Sequence, residues 1–289
     1  MSVAARPRRS ALYMPASNPR AVEKARGLDC DVVILDREDA VLPDAKEAAR
    51  EAAVAAVRAG GFGRREVVVR VNALDTPWGE ADLAAVAVAG PHAVLVPKIR
   101  GPEDVAAYDR ALARAPAGTA LWAMIETSLA ILRLEAIGAA ARTTRLAAFV
   151  MGVNDLATET GARQSPGRQP FWAALSLAVT AARAHGLAIL DGVHNEIDDL
   201  AALEAVCRQG VDFGFDGKSL IHPSHLEICN RAFTPAENEV AWARAVIAAF
   251  AAPENHGKGA LRVEGRLAEL LHRDQAVKLV AVADAIAQG

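Results

Sequence analysis

Charged side chains follow most of the short apolar runs in this sequence, near the point where each run ends. Asp36 and Lys98 end two such runs, Arg70 lies near the end of a third, and Glu126 and Asp155 follow two more. Further polar residues at the ends of runs are Arg37, Glu38, Asp39, Asn72, Asp191, His194, Asp216, Lys218 and His222. Carboxylates and cations that converge cost folding free energy unless they pair or hold a metal. The pattern therefore predicts a charged functional site.

Glu126 and Asp155 follow consecutive apolar runs and predict a divalent metal site. Mg²⁺ is usually held by one or two carboxylates and keeps several waters, so these two residues would leave positions open for a substrate. The alternative is that Glu126 caps a helix beginning at Thr127-Ser128 and that Asp155 caps a helix beginning near Leu156, because acidic residues favour helix N-termini. Spacing alone leaves both interpretations open.

Arg70 and His222 are two further candidates, and each has a structural alternative. Arg70 lies in VVVRVN, where a guanidinium can bind a carboxylate or a developing oxyanion through paired hydrogen bonds. Its alternative is a structural ion pair with Asp36 or Glu38. His222 precedes Pro223 and is either a base or ligand, or a residue that only positions the backbone.

The elements that must position these residues are strands that alternate with helices. Eight apolar runs, each followed by an Ala-rich stretch of helical periodicity, predict eight strands wrapped by helices. The runs span residues 10–15, 31–36, 66–72, 93–99, 120–126, 146–152, 187–193 and 212–222. Their number, and the lack of a Gly-x-Gly-x-x-Gly turn, favour a (β/α)8 TIM barrel over an open doubly wound sheet. Active sites of such barrels lie at the C-terminal ends of the strands, where the charged residues are expected.

The chain is expected to form one barrel domain followed by a C-terminal extension. We predict a catalytic barrel over residues 1–232 and a C-terminal helical extension over residues 233–289 that acts as a lid. A length of 289 residues and a hydrophobic content of 52% are sufficient for one large core.

Composition restricts the class of partner. The 35 acidic and 32 basic residues are mixed along the chain and give a net charge of −3, so no basic face for nucleic acid is expected. The three cysteines lie far apart and lack Cys-x-x-Cys spacing, which is typical of buried thiols in a reducing compartment. The N-terminal apolar stretch is too short for a signal peptide or a membrane span. We therefore expect a cytoplasmic protein with no membrane association.

Six segments, in series along nearly the whole chain, resemble the citrate lyase β-subunit-like family of HpcH/HpaI aldolases. They are LDREDAV at 35–41, VRVNALDTPWGEADL at 69–83, WAMIET at 122–127, VMGVNDLATETGAR at 150–163, DGVHNEIDD at 191–199 and GFDGKSLIHPSHLEICN at 214–230. The resemblance implies a metal-dependent barrel, homotrimeric or homohexameric, that cleaves or forms the carbon–carbon bond of a 3-hydroxyacyl-CoA. WAMIET, MGVNDLA, PENHGKG and GRLAE are most similar to the malyl-CoA lyase and (3S)-malyl-CoA thioesterase branch.

The resemblance also assigns roles to residues of this chain. It implies that Glu126 and Asp155 bind Mg²⁺, with Mn²⁺ as an alternative, and that Arg70 binds the substrate. Coenzyme A would enter as part of the substrate. The residues assigned to substrate and coenzyme A are Arg20, Lys24, Arg70, Glu126, Asn154, Ile221 and His222, of which Arg20 and Lys24 would meet the phosphates.

Several positions depart from the family pattern. Family members with lyase activity usually carry Gly-(Lys/Arg)-Met-x-Asp in the tail, and that Asp reaches the site of a neighbouring subunit. Here the segment ends in Glu269, whose side chain is one methylene longer, and a displacement on that scale can cost about a hundredfold in rate. Arg37 stands in place of a leucine, Ala16 in place of a common glycine, and His194 in place of a common tyrosine.

Together these observations predict a Mg²⁺-dependent carbon–carbon lyase. Its substrate would be malyl-CoA or citryl-CoA, and its products acetyl-CoA and glyoxylate or oxaloacetate. Arg70 would stabilise charge on the 2-oxo acid, and Glu269 would act as the acid–base catalyst. The alternatives are a (3S)-malyl-CoA thioesterase that releases malate and CoA, a carrier-dependent citrate lyase β subunit, and a non-catalytic protein that binds CoA esters.

Overall fold

A closed barrel of eight parallel strands forms the centre of the fold in the computed structural model, which describes residues 6–288. Each strand pairs with its neighbour in sequence, and β8 pairs with β1 to close the barrel. The strands are β1 (Ser10–Pro15), β2 (Val32–Asp36), β3 (Glu66–Arg70), β4 (Ala93–Val96), β5 (Ala120–Ile125), β6 (Leu146–Met151), β7 (Ala188–Asp191) and β8 (Gly217–Leu220). The prediction of a (β/α)8 barrel rather than an open sheet is confirmed.

The strands are apolar on both faces because both faces are covered. In β2, Val32 and Ile34 belong to the cluster that fills the barrel, whereas Val33 and Leu35 pack outward against the helices. Trp122 is the largest fully buried side chain, and it belongs to the inner cluster. Because alternate residues pack inside the barrel and against the helices, the strand sequences are hydrophobic throughout and do not alternate between polar and apolar residues.

The helices around the barrel follow the strands in order, usually one to a connection. They are α1 (Pro19–Ala25), α2 (Lys46–Ala59), α3 (Gly79–Ala89), α4 (Pro102–Ala111), α5 (Ser128–Leu132), α6 (Leu134–Ala139), α7 (Val153–Thr160), α8 (Trp172–Ala184), α9 (Leu200–Phe213) and α10 (Leu226–Phe233). Short 3₁₀ turns lie at Pro43–Ala45, Ala140–Arg142, Gln169–Phe171 and Pro223–His225. The eighth strand was predicted to begin at residue 212 and is shorter, because residues 212 and 213 complete α9.

The register of the sheet places opposite charges side by side at its C-terminal edge. Asp36 is the partner of Arg70 across β2 and β3, and Asp191 is the partner of Lys218 across β7 and β8. Neighbouring side chains in parallel strands point to the same face, so each pair can form an ion pair. The residues that end the apolar runs are therefore brought together by strand pairing.

The described residues divide into two compact units: Arg8–Phe233 form the barrel unit, and Thr234–Gln288 with Arg6 and Pro7 form the tail unit. The tail unit contains α11 (Glu237–Ala251), a 3₁₀ turn at Pro253–Asn255, the antiparallel pair β9 (Ala260–Val263) and β10 (Arg266–Glu269), and α12 (Leu270–Ala287). Its own core includes Ala243, Val246 and Phe250. The extension is thus partly a β-hairpin, and its role as a lid stays a prediction.

Within residues 6–288, no helix combines the length and the apolar character needed to cross a bilayer. The prediction about the N-terminal segment concerns in part residues 1–5, which lie outside the described residues.

Candidate active site

Four charged residues of the barrel unit lie where its strands end. Arg70 is the last residue of β3, and Glu126 directly follows β5. Asp155 lies in the first turn of α7, which begins two residues after β6. Lys98 lies two residues beyond the end of β4. Because the strands are parallel, all four belong to the same end of the barrel.

Arg70 is held by three carboxylates. Its Nε and Nη2 donate to the two carboxylate oxygens of Asp36, each at 2.7 Å. Its Nη1 lies 2.8 Å from Glu38 Oε2 and donates to Asp39 Oδ2 at 3.2 Å. Burial alone would raise the pKa of Asp36, but the Arg70 guanidinium outweighs it and holds that pKa below its usual value. Arg70 therefore forms the structural ion pairs with Asp36 and Glu38 that were considered as the alternative to substrate binding. It also lines the cavity described below.

Glu126 is buried and does not cap a helix. Thr127 caps α5, since its hydroxyl accepts a hydrogen bond from the backbone N–H of Ala130 at 3.0 Å. Glu126 Oε1 accepts from the backbone N–H of Lys98 at 2.7 Å, whereas Oε2 has no hydrogen-bond partner among the described residues. Burial raises the pKa of Glu126 to about 7. A buried carboxylate oxygen without a donor normally costs free energy, so it calls for a ligand.

Gly152 allows Glu126 to lie this close to the end of β6. A Cβ atom at position 152 would lie 2.6 Å from Glu126 Oε2 and 2.5 Å from its Cβ, too close for any side chain. Gly152 is also the N-cap residue of α7. Asp155 is therefore a first-turn residue of α7 and not its cap, and its carboxylate is partly exposed.

Lys98 joins the two predicted metal ligands. Its ammonium is ion-paired with Asp155 Oδ1 and lies 3.5 Å from Glu126 Oε1. The sequence places Lys98 at a strand end but gives no sign of this bridge. The backbone of Lys98 has a φ of 54°, in the left-handed region that few residues other than glycine adopt. The hydrophobic pattern that predicts a strand does not predict a left-handed backbone conformation in the residues that follow it.

The donor set fits a hard divalent cation such as Mg²⁺. In the described chain, no cluster of three or more His, Cys, Asp or Glu side chains has a metal-binding arrangement. Mg²⁺ needs no such cluster, because it keeps waters and takes one or two carboxylates. Five carboxylates form ion pairs with two cationic side chains, and the ammonium of Lys46 lies near three of these carboxylates as well. The five carboxylates are Asp36, Glu38, Asp39, Glu126 and Asp155, with Arg70 and Lys98 as the ion-paired cations.

A cavity of about 330 Å³ opens beside these residues. Its walls include Arg70, Asn154, Asp155 and Ile221, all of which were predicted to lie at the site. The remaining lining residues are Tyr13, Pro15, Asp36, Asp39, Ala40, Met124, Met151, Gly152, Val153, Val193 and Ser219. The cavity is lined by both charged and apolar side chains, as a pocket for a short polar acyl group should be.

Asn154 is held in place by two other amides. Its Nδ2 donates to Asn195 Oδ1 at 3.0 Å, and its Oδ1 accepts from Asn195 Nδ2 and Gln164 Nε2, each at 2.9 Å. Asn195 and Gln164 did not stand out in the sequence, because no spacing rule links the loops that carry them. They fix the orientation of an amide at the cavity wall.

His222 matches its structural alternative. It is the N-cap residue of the 3₁₀ turn Pro223–His225, and its Nδ1 accepts from the backbone N–H of Ser224 at 3.2 Å. The imidazole ring of His222 is exposed, and His222 does not line the cavity. Ile221, the preceding residue, does line it.

The remaining predicted residues lie elsewhere. Arg20 and Lys24 are exposed on α1, one turn apart, and neither lines the cavity. Glu269 belongs to the tail unit, where it ends β10 and precedes α12, and it is exposed. The tail unit holds a larger cavity of its own, of about 570 Å³, whose walls include Trp242 and His272.

A sequence model of the HpcH/HpaI aldolase/citrate lyase family matches residues 9–223. The chain belongs to this family. The resemblance noted in the sequence is thereby confirmed, and the matched region covers nearly all of the barrel unit.

Relatives of known activity in this family are enzymes. The chain is 46% identical over 287 residues to a (3S)-malyl-CoA thioesterase of Cereibacter sphaeroides, covering 99% of this chain and 98% of that protein. It is 32% identical over 308 residues to an L-malyl-CoA/β-methylmalyl-CoA lyase of the same species, covering 98% and 96%. The chain is therefore an enzyme of the lyase or acyl-CoA thioesterase type.

A solved structure is similar to almost the whole of this chain. The CitE protein of Mycobacterium tuberculosis, in complex with magnesium, acetoacetate and coenzyme A, has a TM-score of 0.76 and 30% identity. The similarity covers 97% of this chain and 99% of that one.

Three of the departures from the HpcH/HpaI family pattern, at Ala16, Arg37 and His194, are buried in this chain. Arg37 is fully buried, pairs with Asp82 and donates from Nη2 to the carbonyl of Lys46 at 2.9 Å. Its role is thus to join the loop after β2 to α2 and α3. His194 is also buried, with its ring 6.1 Å from that of His225.

Proposed function

We propose that this protein hydrolyses a malyl-CoA-type thioester to malate and free CoA, with Mg²⁺ as cofactor. The observation that carries the proposal is the identity of 46% to a (3S)-malyl-CoA thioesterase over nearly the full length of both chains, against 32% to a malyl-CoA lyase. This ranking favours the thioesterase over the lyase that the sequence features predicted first.

Glu126 and Asp155 would hold the metal. The unpartnered Oε2 of Glu126 and the partly exposed carboxylate of Asp155 support this assignment, as does the magnesium in the CitE complex of M. tuberculosis. When bound, Mg²⁺ supplies Lewis-acid polarisation of substrate oxygens. Mn²⁺ would serve the same purpose with similar oxygen ligands.

Arg70 would bind the free carboxylate of the acyl group. Its guanidinium is fixed at Asp36 by two hydrogen bonds, faces Asp39 and Glu38 through Nη1, and stacks over the ring of Tyr13 at 4.8 Å, so the second N–H of Nη2 is presented in one orientation. A guanidinium that is already oriented loses little conformational entropy when it binds a carboxylate. Asn154, which also lines the cavity, would then orient the substrate through its fixed amide.

Hydrolysis requires that water reach the thioester. The side chain of Asp155 is 36% exposed within the single chain, so solvent has access to the proposed metal position. Arg20, Lys24 and His222 lie outside the cavity, on the exposed surface of the barrel unit. They would meet the phosphates and the outer part of coenzyme A, for which the cavity is too small.

Carbon–carbon lyase activity is the second candidate. It is supported by the relationship to the malyl-CoA lyase and by Glu269, which keeps an acidic group at the end of β10. In a homotrimer or homohexamer, Glu269 of one subunit would serve as the acid–base group of the neighbouring site. Its greater length would weaken proton transfer to carbon, which depends on close alignment.

Product analysis tests the proposal directly. The purified protein is incubated with malyl-CoA and Mg²⁺, and free CoA plus malate is measured against acetyl-CoA plus glyoxylate, with citryl-CoA as a parallel substrate. We expect CoA and malate. Acetyl-CoA with glyoxylate as the only products would establish the lyase instead. Inactivity with both substrates would contradict the proposal and leave the carrier-dependent alternative.

A matched pair of variants tests the metal assignment. Glu126→Gln and Asp155→Asn keep the size of each side chain and remove its charge, so both should abolish Mg²⁺-dependent turnover while circular dichroism stays unchanged. Glu103→Gln, at an exposed ion pair on α4, is the control. Full activity in either site variant would rule out that residue as a ligand.

A further inference from the structure

Lys98 lies where it can control the occupancy of the proposed metal site. Pro97 follows the last residue of β4, and Lys98 then adopts a left-handed backbone conformation with a φ of 54°. A lysine in this region carries a backbone cost of about 1–2 kcal/mol relative to the usual conformations. Such residues are concentrated at functional sites, where the surrounding structure maintains the strain.

The left-handed conformation lets Lys98 use its backbone and its side chain on the same pair of carboxylates. Its backbone N–H donates to Glu126 Oε1 at 2.7 Å. Its ammonium lies 3.5 Å from that same oxygen and forms an ion pair with Asp155 Oδ1. The side chain of Lys98 is 38% exposed, so its ammonium is not locked inside the protein.

We propose that Lys98 is a displaceable counter-ion that competes with Mg²⁺ for Glu126 and Asp155 and couples binding of the cation to binding of an anionic substrate. The inference rests on the proposed function, because it takes Glu126 and Asp155 as the metal ligands. It assigns to Lys98 a role in positioning and affinity, and not in the chemical step.

Competition follows from the positions of the charges. A divalent cation held by Asp155 and Glu126 would lie beside the ammonium, and two positive centres at such a separation repel each other strongly in a partly buried site. The backbone N–H of Lys98 can keep its bond to Glu126 Oε1, while the unpartnered Oε2 remains free for the cation. The ammonium must therefore give up Asp155, whereas the backbone contact can stay.

Coupling follows from what the displaced ammonium needs. A lysine ammonium that has lost its carboxylate regains stability by pairing with another anion, and the free carboxylate of a bound acyl group would supply one. The anion then favours the conformation of Lys98 that admits the cation. By reciprocity, the cation favours binding of the anion by the same factor.

Calorimetric titration of the full-length protein with Mg²⁺ tests this inference without any measurement of activity. Lys98→Met and Lys98→Gln both remove the charge, and Lys98→Arg keeps it. Lys278→Met removes a lysine from an exposed position in the tail unit and controls for the change in net charge. We expect both neutral variants to bind Mg²⁺ about tenfold more tightly, a change of about 1.4 kcal/mol. Lys98→Arg and Lys278→Met should resemble the wild type.

The same titrations are repeated with malate as the probe anion. Malate should tighten Mg²⁺ binding by a larger factor in the wild type than in Lys98→Met or Lys98→Gln. Equal or weaker Mg²⁺ binding by both neutral variants, or an equal effect of malate in them and in the wild type, overturns the inference. A wild type that binds no Mg²⁺ contradicts the proposed function itself, so the two failures are distinguishable.

Discussion

Arg70 combines a structural ion pair with a position at the cavity wall. Its guanidinium neutralises the buried Asp36 through two hydrogen bonds of 2.7 Å and also faces the cavity. The ion pairs are compatible with substrate binding because a guanidinium has five N–H donors: Asp36 uses two, Nη1 faces Asp39 and Glu38, and the second N–H of Nη2 remains for a substrate. The structural role and the substrate-binding role of Arg70 can be separated, because a lysine at this position would keep the positive charge but lose the planar set of N–H donors.

Arg70→Lys separates the two roles. Lysine keeps the charge that compensates Asp36, so the midpoint of urea unfolding should fall only slightly. It cannot reproduce the planar pair of donors, and turnover should fall by about a hundredfold, as when a donor to a developing charge is removed. The measurements are kcat, KM and the unfolding midpoint. Unchanged turnover with a large loss of stability would assign Arg70 to the fold alone.

His194 gives the barrel unit a pH-dependent stability. Burial lowers the pKa of His194 below its usual value of 6.5, with Lys218 and His225 acting in the same direction and Glu196 opposing them. The folded state therefore binds a proton at His194 less readily than the unfolded chain does. The stability from neutral His194 is present above pH 6.5 and is lost as the pH falls through the folded-state pKa.

His194→Gln should make the free energy of unfolding less dependent on pH below 6.5, because glutamine does not titrate. Urea unfolding at several pH values between about 5 and 8, the range in which proteins are usually most stable, measures how the free energy of unfolding depends on pH. His256→Gln, at an exposed position of the tail unit, should leave the dependence unchanged. A pH profile of His194→Gln that parallels the wild type would contradict the assignment.

At the level of single residues, the sequence predicted the positions that follow from strand ends. Arg70, Asn154, Asp155 and Ile221 reach one cavity because parallel strands bring their C-terminal ends together. Lys98 was seen only as a polar residue at a strand end, since its left-handed backbone depends on the loop after Pro97. A contact set by an unusual φ angle leaves no periodic signal in the sequence.

At the level of elements, a buried charge cluster connects β7 and β8 to the loop that precedes α8. Asp191 accepts from Lys218 Nζ at 3.0 Å and from Arg168 Nη1 at 2.7 Å. Burial alone would raise the pKa of Asp191, but the two cations hold it below its usual value. Arg168 has a φ of 57°, so the cluster also fixes a strained loop.

Asp191→Asn should reduce the free energy of unfolding by about 3 kcal/mol or more, because it leaves the fully buried ammonium of Lys218 without a counter-ion. Urea unfolding at neutral pH measures the loss. Glu103→Gln, whose ion pair with Arg133 is exposed, should unfold like the wild type. A stability close to that of the wild type in Asp191→Asn would mean that the cluster does not hold the strands together.

Most of the elements could be predicted from apolar runs, and the exceptions have local causes. The tail was predicted as a helical extension without strands, yet residues 260–269 form a hairpin. Glu264 and Gly265 both have positive φ angles, of 48° and 83°, and such a pair is typical of the two-residue turn that joins antiparallel strands. Glutamate in this conformation is uncommon, which is why the sequence VEGR did not indicate a turn.

At the level of the whole molecule, the chain contains separate hydrophobic cores. The large clusters of the barrel unit draw only on residues between Ala11 and Phe233, and the tail cluster only on residues between Trp242 and Val280. The candidate metal ligands and Arg70 belong to the barrel unit, whereas Glu269 belongs to the tail unit. The proposed metal ligands and the proposed acid–base residue would thus be carried by different units.

A chain that ends at Phe233 should therefore fold and keep the Mg²⁺ affinity of the full-length protein, but it should lose any carbon–carbon lyase turnover that depends on Glu269. Its core and its candidate ligands are complete, while the tail and Glu269 are removed. Calorimetric titration and product analysis measure the two properties. Glu269→Gln in the full-length chain separates the carboxylate from the rest of the tail, and should lower lyase turnover by about a hundredfold if Glu269 is an acid–base group. Full lyase turnover of the shortened chain would show that the barrel unit carries the chemistry by itself, and failure to fold would show that its core depends on the tail.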